Sequence, residues 1–137
     1  MLKRELQDRK IKFGINHFSV AETLNALALT YHYMMNDHET AIQLHYEAKD
    51  ILEGQKERSQ QNILNLAITI GDIGNCFWTK GDHQSARNEY MASLQFLNSC
   101  QISESHPKAK LFTYTMKYRL CLLRRYTREE KNFTFLD

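Results

Sequence analysis

The chain has 137 residues, 42% hydrophobic and 25% charged, the balance of one globular domain able to bury roughly 68–70% of its unfolded surface. One proline and five glycines are too few for a turn-rich sandwich, and no run of 18 apolar residues is present to span a membrane. The net charge of +2 conceals a polarity, with residues 1–21 at +3, 22–53 at −5, 54–105 at −1 and 106–137 at +5. Such blocks are first of all solvated helix faces, although they can also steer a partner.

Few turn residues favour long helices joined by short loops. Residues 2–13 place Leu2, Leu6, Ile11 and Phe13 among charges, a short helix stopped by Gly14. Ser19-Val20-Ala21-Glu22 has the form of a capping box. It predicts a helix with Val20, Leu24, Leu27, Ala28 and Tyr31 on one face, ending near Asn36. Asp37 can cap the next, whose stripe is Ala41, Leu44, Ala48, Ile51 and Leu52, with Gly54 at its end.

Ser59 can start a third main helix that runs to Lys80. Gly71 and Gly74 inside it each cost about 1 kcal/mol relative to alanine, and close approach of a neighbouring helix is the reason expected at Gly74. Gly81 offers a left-handed stop and Asp82 a cap for the helix to about Asn98. Ser99–Ser105 is a polar loop, and Pro107 suits the first position of a last helix through Arg125. Leu111, Tyr114, Tyr118, Cys121 and Leu122 are its expected inner face. Residues 127–137 lack a period and are expected to fray, with Phe133, Phe135 and Leu136 apolar enough to dock.

The first helix pair can be laid over the second. Leu24-x2-Leu27-Ala28-x2-Tyr31, then Ala41, corresponds to Ile70-x2-Ile73-Gly74-x2-Phe77, then Ala86. The small-to-small step is thirteen residues in the first pair and twelve in the second, so one extra residue lies around Met34–His38. His45 stands where the second pair has Tyr90, and Ala48 corresponds to Ser93. Small residues on facing helices let large ones insert, and each pair leaves an apolar face for a neighbour to cover.

This spacing resembles that of tetratricopeptide repeat proteins over about residues 20–98, most strongly over 70–94. The 45 residues from Ala41 to Ala86 are similar to the long-period variety of kinesin light chains and nephrocystin-like proteins. Gly14-x2-His17-Phe18-Ser19-Val20-Ala21, then Leu24-Asn25-x-Leu27-Ala28, resembles the linker and helix of that variety, with Phe18 in place of proline; His106-Pro107 is similar to the same linker. The resemblance implies an all-α, right-handed stack of helical hairpins with five to six helices. Residues 1–18 would be a partial helix and linker, 19–54 and 59–98 two helix pairs, and 106–126 a capping helix. An incomplete repeat at the end could be completed by another subunit, so self-association is one expectation.

In such stacks the first helices of successive pairs line a concave face that holds a peptide or another protein. The resemblance places Asn25, Leu29, His32 and Tyr33 of the first pair there, with Gly71, Asn75 and Trp78 of the second. The asparagine amides could pin a peptide backbone, and Trp78 is the kind of residue that dominates an interface, or else packs against the last helix. The lysine clamp of chaperone-binding repeats is missing, because Asn25, Tyr33, Gly71 and Thr79 occupy the corresponding positions.

Catalytic and cofactor chemistry is not expected. Six histidines form no H-x3-H or H-E-x-x-H pattern, Gly71-x2-Gly74 lies within a helix, and no nucleophile motif follows a strand. No metal site is expected either. The three cysteines, odd in number and without C-x-x-C spacing, suit a reducing, cytoplasmic compartment, and MLKRELQDRKIKFG lacks the apolar core of a signal peptide. The alternative function is nucleic-acid or anionic-surface binding by Lys117, Arg119, Arg124, Arg125 and Arg128, interleaved with Tyr114, Tyr118 and Tyr126. A pI of about 8.4 is low for a nucleic-acid binder, so the reading favoured is a non-catalytic protein–protein interaction module.

Overall fold

The computed structural model describes residues 1–102 and 106–135, with side chains described as far as Arg125. Six helices follow one another: α1 (Leu2–Phe13), α2 (Phe18–Tyr33), α3 (His38–Glu53), α4 (Gln60–Lys80), α5 (His83–Ser99) and α6 (Pro107–Phe135). No strand occurs among the described residues. Each helix packs on its chain neighbours, most extensively α2 on α3 and α4 on α5, so the all-α hairpin stack is the observed architecture. α6 closes the stack by touching both α5 and α4.

The caps read from sequence are mostly in place. Asp37, Ser59 and Asp82 accept from the backbone N–H groups of Thr40, Asn62 and Ser85. The start of α2 is different. His17 is its cap, with Nδ1 accepting from the Ser19 N–H, and Ser19 is a buried residue of the first turn. Glu22 therefore closes no capping box; it lies 3.6 Å from Arg9, whose guanidinium also donates to the Ser19 carbonyl. The first helix is tied to the second by that arginine and by Leu6, which packs on the Val20–Leu24 cluster.

The one-residue difference between the hairpins has a visible cause. After α4, Gly81 is left-handed at φ 92°, and the Asp82 N–H reaches the Phe77 carbonyl at 2.9 Å. After α2, the Asp37 N–H reaches back to the Tyr31 carbonyl at 2.9 Å, six residues instead of five. Asn36 supplies the left-handed residue there, at φ 57°.

Small residues set the hairpin spacing as expected. Ala28, Ala41, Ala48, Ala86 and Ser93 are completely buried. A Cβ placed on Gly74 would lie 2.7 Å from the Tyr90 ring and 3.3 Å from the Ala86 carbonyl, so only glycine fits without movement.

The last helix departs from the sequence expectation in length and in rotation. Its backbone continues past Arg125 to Phe135, so residues 127–135 are helical rather than frayed. The expected docking of Phe133, Phe135 and Leu136 lies outside the described residues. Ala109, Met116 and Leu123 are the buried positions, with Phe112 and Leu120 against the same clusters. Leu111, Tyr114, Tyr118 and Cys121 face outward instead. Ala109 lets α6 approach the Ile63–Leu97 cluster, and Gly71 receives Phe112 and Met116. That pair of fits turns the aromatic face out.

Candidate functional site

α2 and α4 lie side by side on one face of the stack. Glu22, Ala26, Leu29 and Tyr33 recur at intervals of three and four along α2; Gln61, Asn65, Ile68 and Asp72 do so along α4. Between these rows runs a cleft of about 310 Å³. Its apolar part is Ala26 with Leu29 and Ile68, the last two exposed by 36% and 40%. Amides flank it, and Gln61 Nε2 donates to Asn65 Oδ1 at 2.9 Å.

Beneath the cleft the helices are joined by a directed chain of hydrogen bonds. Thr69 Oγ1 donates to the Asn65 carbonyl at 2.7 Å, so toward Asn25 it can only accept, and Asn25 Nδ2 donates to it at 2.9 Å. Asn25 Oδ1 then accepts from His45 Nδ1–H at 2.9 Å. The His45 ring is wholly buried, and burial with a nearby His32 pushes its pKa down to about 4, which keeps it neutral. His45 is thus a polar pin through α3, α2 and α4 rather than a poor core filler.

A second crossing lies two turns along. Thr79 Oγ1 donates to the Asn75 carbonyl and therefore accepts from His32 Nε2–H at 3.0 Å. His32 Nδ1 is left to accept from the Cys76 thiol at 3.6 Å. Burial lowers the His32 pKa, with His38 adding to it, and burial pushes the Cys76 thiol up to about 12, with the Asp72 charge contributing. Cys76 is consequently a protonated core thiol, not a nucleophile.

Toward α6 the wall becomes charged. Asn75 Oδ1 accepts from Tyr90 Oη at 2.6 Å and from Arg119 Nη1 at 2.8 Å, while Asn75 Nδ2 lies 3.5 Å from Asp72 Oδ1. Burial raises the Asp72 carboxyl to about 6; Arg119 and Asn75 pull in the other direction without prevailing. The Tyr90 hydroxyl is pushed up to about 12 by burial, and the Tyr33 hydroxyl is raised by burial and by Asp72.

The seven residues read from sequence as groove-lining therefore separate. Leu29 lines the cleft, and Tyr33 is exposed but outside its lining. Asn25 and Asn75 are half-buried, and their amides are committed to the ring groups of α3 and α5. His32 is buried. Gly71 lies under Phe112 and Met116 rather than on an open wall. Trp78 packs edge-on to His83 and beside Tyr90, in the cluster that also holds Met116 and Leu123 of α6. Gln61, Asn65, Ile68 and Asp72 were not anticipated. Counting backward along α4 from Asn75 by three, then four, then three would have found the last three of them.

Among the described residues no group of three or more His, Cys, Asp and Glu side chains is placed to hold a metal ion. No described helix is long and apolar enough to cross a membrane. No protein-family model matches the sequence.

Proposed function

We propose that the chain is a tetratricopeptide-type interaction module, non-catalytic and cytoplasmic, that holds a segment of another protein in the α2/α4 cleft. One observation carries this reading. Leu29 and Ile68 are kept partly exposed in a concavity whose rims supply amides together with the Glu22 and Asp72 carboxyl groups, the arrangement that combines apolar contact with hydrogen bonds for orientation. The helix spacing of the two pairs supports the family, and the hydrogen-bonded crossings beneath supply a fixed floor.

The test is a selection of displayed peptides against the native protein, followed by affinity measurement with Leu29→Glu and Ile68→Glu. Both side chains are accessible, so unfolding stability should stay within about 0.5 kcal/mol of native. Peptide affinity should fall about tenfold or more. Selected peptides that bind both variants as well as the native protein would place the binding surface elsewhere.

A further inference from the structure

The outward face of α6 is patterned as one half of a coiled-coil seam. Leu111, Tyr114, Tyr118 and Cys121 follow one another at three, four and three residues, and the first three are exposed by 68%, 61% and 64%. Lys110, Lys117 and Arg124 recur every seven residues along one flank; Lys110 and Lys117 each precede an apolar seam position, while Arg124 precedes Arg125, a cation where the next seam residue falls. Pro107–Arg128 contains seven basic residues and no acidic one. Lys110, Lys117 and Arg124 are exposed and make no ion pair with any described residue. Beside this flank a cleft of about 590 Å³ opens between α5 and α6; Leu97 and Ala109 contribute to its lining, but most of it is polar, with Asn98, Gln101, Lys110 and Thr113.

We propose that this face of α6 docks an acidic amphipathic helix of a partner protein, with apolar residues against Leu111, Tyr114 and Tyr118 and carboxylates against Lys110, Lys117 and Arg124. The seven-residue cation spacing matches carboxylates repeated once per heptad on such a helix. A second copy of this chain is a poor occupant. Two α6 helices would oppose like charges, and α1, which exposes Ile11 and Phe13, carries Lys10 and Lys12 beside them. α3 is acidic but exposes no large apolar side chain. A bilayer or a nucleic acid could meet the cations, but neither presents apolar side chains spaced three and four residues apart to match Leu111, Tyr114 and Tyr118.

The probe is a synthetic peptide of about three heptads with leucine at the seam positions and glutamate at their flanks, whose own charge keeps it monomeric. Fluorescence anisotropy should give saturable binding by the full chain that weakens with salt. A lysine-flanked version should not bind. Lys110→Glu with Lys117→Glu should weaken binding about tenfold, and Tyr114→Ser with Tyr118→Ser at least as much, with helicity retained in both, since all four side chains are exposed. No saturation at about millimolar peptide would overturn the proposal. Equal binding of the lysine-flanked peptide would do so too, as would a charge-reversed protein that binds normally. Tighter association with phosphatidylserine vesicles or an oligonucleotide than with the peptide would assign the face to a lipid or nucleic-acid surface instead.

Discussion

Replacing Asp72 by asparagine should stabilise the protein at neutral pH and uncover an acid sensitivity that the native chain masks. The buried His45 and the partly exposed Asp72 titrate in the same window with opposite signs. His45 has its pKa lowered from 6.5 to about 4, so the unfolded chain takes the proton first as pH falls. Its contribution to stability is full above about pH 6.5 and lost on the way to 4, an integral of roughly 3 kcal/mol. Asp72 has its pKa raised from 3.8 to about 6, so the folded state takes the proton first. Its charge is a penalty at pH 7 that is relieved between 6 and 3.8, again roughly 3 kcal/mol. In the native protein the two nearly offset; His32, lowered by burial and by His38, adds on the histidine side. The Asp72→Asn substitution would remove a penalty that is already net of the Arg119 attraction, and desolvation of the amide that replaces the carboxyl leaves a gain of about 1–2 kcal/mol at pH 7, or about 4–8 °C in melting temperature. Urea unfolding followed by circular dichroism between pH 7 and 4 measures both quantities. Below that range the depressed carboxyls of Asp37 and Asp82, held by their cap hydrogen bonds, begin to lose their own contribution. The native curve should be nearly level and the variant should lose about 3 kcal/mol. Parallel curves, or a variant less stable at pH 7, would refute the reasoning.

The glycines of α4 should respond differently to alanine. At Gly74 the added Cβ meets a Tyr90 ring whose hydroxyl is anchored on Asn75, so Gly74→Ala should cost about 1–3 kcal/mol despite alanine's better helix propensity. At Gly71 the obstacles are the Phe112 ring edge and the Met116 sulfur at 3.2 and 3.3 Å, which can give, and chemical denaturation should place Gly71→Ala within about 1 kcal/mol of native. Asn25→Ala strands the buried His45 Nδ1–H donor, while the Thr69 hydroxyl keeps its bond to the Asn65 carbonyl, and should cost about 1–3 kcal/mol; a loss under about 0.5 kcal/mol in the same melts would mean the hydrogen-bond chain is dispensable.

The sequence made the helices, caps and hairpin spacing legible because each rests on local chemistry. Asp37, Ser59, Gly81 and Asp82 act within one turn of themselves, and the Gly74–Ala86 step reflects a contact inside one hairpin. What depends on a third helix was not legible. Tyr114 and Tyr118 look like core by hydropathy, and only the fit of Ala109 and Gly71 reveals that α6 is rotated to bury Phe112 and Met116. Trp78 allowed two readings, groove-lining or packed on the last helix, and the second matches its place beside Tyr90 and the α6 cluster. Asn25 does line the cleft, but its amide, like that of Asn75, is engaged in a hydrogen-bonded crossing, because an amide at the edge of a helix face can turn either way. A buried His45 needs a partner, and Asn25 across the hairpin is the polar group that meets it.

The two crossings also determine what kind of groove this is. α2 and α4 run in the same direction, bridged at Asn25–Thr69 and again at His32 with Cys76 and Thr79. The bridges are seven residues apart on α2, about 10.5 Å by helix rise, and they bracket Leu29 on one wall and Asp72 on the other. Splaying the helices would release the half-buried Asn25 amide at one end and strand the buried His32 donor at the other, the latter costing about 1–3 kcal/mol. The cleft between Leu29 and Ile68 is therefore preformed, and on the proposed function a segment held there would adapt to it instead of opening it. Little of the binding free energy is then spent on ordering the protein. Affinity should depend on the shape of the incoming apolar side chain more than on its length.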